Sequence, residues 1–433
     1  MIIHSEYKRL PSRQSFHILR FSILFAGAFF VYGCHTVKQA QPLTNGKSDI
    51  PASAAVSTDT ATKGIDWQQR KDYVFSKGTL VFTNRFATAR LNNVTQQNDS
   101  TYTLEILPEN ARINPSPWYA FKVWSAVKRN IYLTLQYPGY KHRYDPKFSS
   151  DYKTWRPVVS AVTVSADEHQ ASFKLELATD TIAIAGQELI SSADTYKWVD
   201  TIGRLPFVKR EVAGKSLKGK IIPVLSTKGS NGKKIIAVLS RQHPPEVTGY
   251  MAMQEFIRTT LGSTSLAKQF REKYELIIFP MLNPDGVDEG NWRHSAGGVD
   301  LNRDWTGFKQ PETKAVRDFM LKTAEKQDAK VYFAIDFHST FYDVFYINEL
   351  KDPTGSNSPG FTVHWLDAIK LAIKDFKPNI KPSGNGGDVS KSWFSRVMGA
   401  EAITYEVGDN TSREQLKLKG RVAAEEMMKL LLK

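Results

Sequence analysis

Between about residue 66 and residue 205, apolar and polar side chains alternate in short runs: "GTLVFTNRF", "TYTLEIL", "WYAFKVWSA", "NIYLTLQY", "RPVVSAVTV", "SFKLELAT" and "DTIAIAG". A period of two turns one face of each run inward. Asn, Asp, Pro and Gly separate the runs, so this region is predicted to fold as an all-β sandwich. From about 206 the pattern changes. Strand candidates "KKIIAVLS", "YELIIFP", "KVYFAID" and "AEAITYEV" alternate with amphipathic helix candidates at 246–261, 311–326, 361–376 and 412–432. That alternation predicts an α/β domain around a mainly parallel sheet, with ligands gathering at the carboxyl ends of its strands.

The first 65 residues fit neither pattern. "MIIHSEYKRLPSRQSFHILR" carries Lys8, Arg9, Arg13 and Arg20, and the apolar run "FSILFAGAFFVYGC" follows, ending at Cys34. A basic stretch before a short apolar run is an export signal pattern. Val31, Tyr32, Gly33 and Cys34 resemble a bacterial lipoprotein processing box, so residues 1–34 are expected to be a signal segment with Cys34 lipidated. Residues 35–65, rich in Ser, Thr, Ala and Pro, read as a flexible tether. The expected location is therefore the cell envelope of a bacterium, as a periplasmic lipoprotein on a membrane anchor.

Composition narrows the class further. With 41% hydrophobic and 24% charged residues among 433, the chain is globular and long enough for two domains. Cys34 is the only cysteine, so no intrachain disulfide can form and stability rests on packing. The formal net charge of +14 is spread along the chain, without an aromatic-interleaved basic stretch, and no nucleic-acid partner is expected.

The chemistry gathers at strand ends. "KKIIAVLS" runs into "RQHPPE", which places His243 and Glu246 three apart where a strand hands over to a helix. An imidazole and a carboxylate at that spacing can share one ion, although the pair alone is also a common surface arrangement. His338 in "FAIDFHS" emerges on the same sheet edge and offers a third ligand. Three protein ligands with a fourth position open make a catalytic rather than structural zinc site, one ion per chain. Glu406 in "AITYEVGD" ends another apolar strand, where a carboxylate is costly to bury unless it has work such as accepting a proton.

Taken in order, "HPPE", "MLNPDGV", "GNWRHSAGGVDLNRDW", "DFHS" and "TYEVGD" resemble the zinc carboxypeptidases of the M14 family over about 206–433. The phrase "NPDGV...GN.R....GVDLNR.W" is most similar to the cytosolic carboxypeptidase subfamily, whose members carry a β-sandwich before the catalytic domain with a counterpart of "SPWYAFKV" (116–123). The resemblance implies a carboxypeptidase-type mixed sheet flanked by helices over 206–433, preceded by a sandwich over 66–205. It implies His243, Glu246 and His338 as zinc ligands and Glu406 as general base. Arg293 would hold the oxyanion, while Asn302 and Arg303 would clamp the substrate's terminal carboxylate. Lys391, two residues before Trp393, falls at the bottom of the specificity pocket and would favour C-terminal glutamate or aspartate.

This sequence departs from the family at two places. Pro245 stands where digestive members carry an arginine, and the tyrosine that caps the substrate would fall at Pro382 or Gly384, with no tyrosine anywhere between 347 and 404. The expected function is an exported metallocarboxypeptidase acting on peptide or protein C-termini. An amidase or deacylase of the same fold, acting on N-acyl amino acids or cell-wall peptides, and a non-catalytic peptide- or glycan-binding protein are the alternatives. Oligomeric state is not legible.

Overall fold

The computed structural model describes residues 61–227, 233–349, 355–384 and 386–433; Cys34, with the signal segment and residues 35–60 of the expected tether, lies outside the described residues. The first half holds two sheets. One runs in the order Asp72–Phe75, Leu80–Thr83, Ala120–Ser125, Ile182–Ala185, Lys147–Ser149, Arg156–Pro157, and the other Asn93–Gln96, Thr101–Glu105, Arg129–Gln136, Gln170–Leu177, Thr163–Val164. Alternation along Gln170–Leu177 buries Ala171, Phe173, Leu175 and Leu177 and leaves the residues between them outward. The inward faces meet, with Phe82 of one sheet and Tyr102 of the other 5.4 Å apart between ring centroids.

One expected run behaves differently. "RPVVSAVTV" does not form one strand: Arg156–Pro157 pairs in the first sheet and Thr163–Val164 in the second. Pro157 has no N–H to extend a ladder. Between the two pieces, Ser160 Oγ donates to Lys174 O at 2.8 Å, turning the chain across the edge of the sandwich.

After the helix Ser192–Ile202 comes an eight-stranded sheet in the order Val208–Lys215, Ile221–Thr227, Glu275–Phe279, Lys234–Ser240, Lys330–Thr340, Glu401–Gly408, Val344–Asn348, Ile380–Ser383. The four strands from Glu275–Phe279 to Glu401–Gly408 are mutually parallel, and antiparallel pairings join the outer strands to them. The sheet is therefore mixed. Its centre is covered on both faces, which is why its strands read as continuous apolar runs. Ile236 and Val238 face the helices Val247–Thr260, Phe361–Ala372 and Arg413–Leu432, whereas Ile235, Ala237 and Leu239 face Pro311–Gln327 and Ser390–Met398.

The two halves are sewn together. Trp292, from a loop of the second half, is wholly buried in the sandwich core and donates its indole N–H to Trp118 O at 3.0 Å.

Candidate metal centre and catalytic cleft

Three of the four central strands deliver a functional residue at or just beyond the carboxyl end. His243 lies in the turn after Lys234–Ser240, and Glu246 occupies the N-cap position of the helix Val247–Thr260 without capping it through its side chain, so the carboxylate is free to turn inward. His338 sits near the end of Lys330–Thr340, directly in register with Glu406 on the neighbouring parallel strand. Residues in register on parallel strands point to the same face, so the ladder itself places Glu406 beside the histidine.

A close approach fixes the helix. A Cβ added to Gly249 would lie 2.2 Å from the carbonyl oxygen of His338, so only glycine lets the helix bearing Glu246 rest on the strand bearing His338.

Three side chains converge here. His243 Nδ1 is 2.8 Å from Glu246 Oε1, His338 Nδ1 is 2.7 Å from Glu246 Oε2, and the two Nδ1 atoms are 3.2 Å apart. All three residues are buried, and Glu246 Oε2 makes no hydrogen bond despite its short contact. An acid faces the far side of each ring: His243 Nε2 lies 2.8 Å from Asp300 Oδ1, within hydrogen-bond geometry, and His338 Nε2 lies 3.0 Å from Asp336 Oδ2 without it. Imidazoles that turn one nitrogen to a common point and the other to a carboxylate form the donor arrangement that suits a zinc ion. Among the described residues this is the one group of three or more ligating side chains able to share an ion.

The charges around the cluster are strongly coupled. Burial alone would raise the pKa of Glu246, but His243 and His338 outweigh it and hold the carboxyl below the usual range. Burial likewise opposes ionisation of Asp300, and Arg293 and His243 overcome it. Glu406 is the contrast. Burial first, then the neighbouring Glu246 carboxylate, push its pKa up to about 7, and its Oε2 is buried without a hydrogen-bond partner.

A cleft of about 360 Å³ opens beside the cluster, and Arg293, Asn302, Arg303, Lys391 and Glu406 all line it with His243 and Glu246. Arg293 donates from Nε to Asp300 Oδ2 at 2.7 Å, so Asp300 ties a metal-facing histidine and this arginine to one carboxylate. Asn302 Oδ1 accepts from Ser390 N at 2.9 Å, which joins the loop of Arg293 to the helix of Lys391. Lys391 is buried and donates to Asn348 Oδ1 at 2.7 Å; burial lowers its pKa to about 8.

Several residues that line the cleft or support it from behind were not singled out by the sequence. Asp300 and Asp336 carry no distinguishing pattern of their own, although their places beside "LNR" and two before His338 are signals that geometry makes meaningful. Tyr346, from the strand Val344–Asn348, lines the cleft although no tyrosine stands at the spacing the family uses; burial and Glu406 raise its hydroxyl pKa. The sandwich also contributes: Asn114, Pro115, Ser116 and Arg143 form one wall. Arg143 spans the seam, donating to Asp409 Oδ2 at 2.9 Å, Ser116 Oγ at 2.8 Å and Ser339 O at 3.3 Å.

A mixed α/β sheet whose carboxyl edge gathers two imidazoles and a carboxylate, with arginines lining the adjoining cleft, has the architecture of a metallopeptidase. Residues 195–351 match the family described as Peptidase_M14, zinc carboxypeptidase. His243, Glu246 and His338, grouped as a possible metal site, all fall within that match. The chain is 25% identical over 302 residues to cytosolic carboxypeptidase 3 of Bos taurus, a match covering 62% of this chain and 30% of that protein. With cytosolic carboxypeptidase 6 of Mus musculus it shares 25% identity over 289 residues, covering 61% of this chain and 54% of that one. The chain thus spans between about a third and about half of the length of these curated relatives. In fold it is similar to a metallo-carboxypeptidase from Burkholderia cenocepacia, with a TM-score of 0.69 at 19% identity over 82% of this chain and 99% of that one.

Proposed function

We propose that the protein is an exported zinc metallocarboxypeptidase that removes the C-terminal residue from peptides, with Glu406 as general base. The observation that carries this reading is the unpartnered, buried carboxylate oxygen of Glu406, in register with His338 and sharing one cleft with Arg293, Asn302 and Arg303. Zinc held by His243, Glu246 and His338 would supply Lewis acidity, polarising a carbonyl and making a water acidic enough to lose a proton near neutral pH. Glu406 takes that proton and returns it to the departing amine. Arg293, tethered through Nε to Asp300, meets the negative charge that develops on the scissile carbonyl oxygen. Asn302 and Arg303 receive the terminal carboxylate, for which a guanidinium fork is suited.

Lys391 faces the side chain of the last residue and favours glutamate or aspartate. Export rests on the basic and apolar segments before Cys34, whose acylation would hold the enzyme at a membrane.

The test is a comparison of purified parent and Glu406→Gln on a peptide with a free C-terminus, the same peptide amidated, and an N-acyl amino acid. The parent is expected to need zinc and to prefer the free peptide. Glu406→Gln should keep its zinc and lose roughly three or more orders of magnitude in kcat, because an amide cannot accept the proton. Activity within about tenfold of the parent, a loss of only about 1.4 kcal/mol, would remove Glu406 from this role.

A further inference from the structure

The β-sandwich carries a carboxylate with no exposure at all, Glu109, and it is spent on the backbone of the other half. Its Oε2 accepts from Trp292 N at 2.7 Å, and its Oε1 accepts from Arg293 N at 3.0 Å and from His294 N at 2.6 Å. Three successive peptide N–H groups therefore close on one side chain, with Arg293 in the middle. The neighbouring residues repeat the grip. Asn110 Oδ1 accepts from His294 Nδ1 at 2.7 Å, and Arg90 donates to Gly290 O and Asn291 Oδ1, both at 2.8 Å. Trp292 is sunk in the sandwich core.

Residues 290–300 contain neither helix nor strand; the helix Pro284–Glu289 holds the start of the loop, where Gly290 N donates to Val287 O at 3.1 Å and Asn291 N to Gly286 O at 2.9 Å. The guanidinium of Arg293 is held by Asp300 through Nε, and the backbone N–H of Arg293 and of the residue on either side of it is held by Glu109. We propose that Glu109 is a positioning residue for Arg293, so that the sandwich sets the geometry of the oxyanion-binding arginine. This rests on the role proposed above for Arg293. A displacement of about 1 Å in such a group is enough to cost on the order of a hundredfold in rate.

The experiment uses the full chain as parent, Glu109→Gln, Arg293→Ala and the double variant. Glutamine offers one acceptor oxygen and places an NH₂ donor against at least one of the three peptide donors. In Glu109→Gln, kcat should fall roughly 10- to 100-fold with KM within about threefold and zinc content unchanged, because the arginine acts on charge that appears only in the transition state. Added to Arg293→Ala, the same substitution should lower kcat by less than about twofold more. A Glu109→Gln enzyme with parental kcat, or losses that multiply in the double variant, overturns the proposal. Hydrogen exchange at the amides of residues 292–294 reads the grip without turnover. If the parent proves inactive on every substrate, the peptidase reading has failed; unchanged protection of those amides in Glu109→Gln would then refute the positioning claim separately.

Discussion

Lys391 keeps a charge in a place that resists one. Burial lowers its pKa to about 8, and Asn348 Oδ1 at 2.7 Å offers an acceptor but no opposite charge. The sign follows directly: the ammonium is present below about pH 8 and is lost above it. Preference for a C-terminal glutamate over leucine, measured as a ratio of kcat/KM values, should therefore fall roughly tenfold between pH 7 and pH 9. Lys391→Met should abolish both the preference and its pH dependence. A parent profile that favours apolar ends at every pH would place the recognition elsewhere.

At this scale the sequence marked the polar residues at strand ends and left those that support them unmarked. His243, His338 and Glu406 are polar residues at or just past the ends of apolar strands, a placement that is expensive without a role. Glu109 lies in "LPENARINP", which reads as a solvated turn because the three N–H groups it serves are more than 180 residues away. Tyr346 was hidden for a related reason: it reaches the cleft from a different strand, so no count back from Glu406 could find it.

Among the elements, the helix Val247–Thr260 is the most tightly constrained. It carries Glu246 at its start and rests on the backbone of His338 at Gly249. Gly249→Ala would place a methyl 2.2 Å from a carbonyl oxygen, so the helix must withdraw and take its carboxylate with it. We expect a stability loss of about 1–3 kcal/mol, the usual cost of overpacking. Zinc affinity should drop at least about tenfold as the ligand moves away. Chelator competition and thermal unfolding check the two effects separately; parental values in both would mean that the contact yields at no cost.

Burial alone did not decide strand legibility: Ile221–Thr227 buries six of its seven residues yet was not among the strand candidates, its apolar run being interrupted by Pro223. The central strands were plain because both faces are covered, whereas Val208–Lys215 was missed because it is an edge strand with a single buried residue and charges along its length. The four-residue strand Asn93–Gln96 buries only Val94, too little to register as alternation.

For the whole molecule, the expected membrane tether can be tested apart from catalysis. Cys34→Ser should abolish acylation and shift the protein from the membrane to the soluble fraction, with kcat/KM on a free peptide unchanged within about twofold. Unaltered mass and partitioning would instead indicate a plain signal anchor or a cleaved soluble protein. The two structured halves invite no such separation. Because Trp292 fills space among sandwich residues and Glu109 closes on the following peptide groups, each half completes the other's interior. Such a pair cannot be exchanged as modules. A gene fusion that joined this peptidase half to a foreign sandwich would have to inherit the socket for one tryptophan and the position of one carboxylate, so the two halves should change in step over evolutionary time, as parts of one heritable unit.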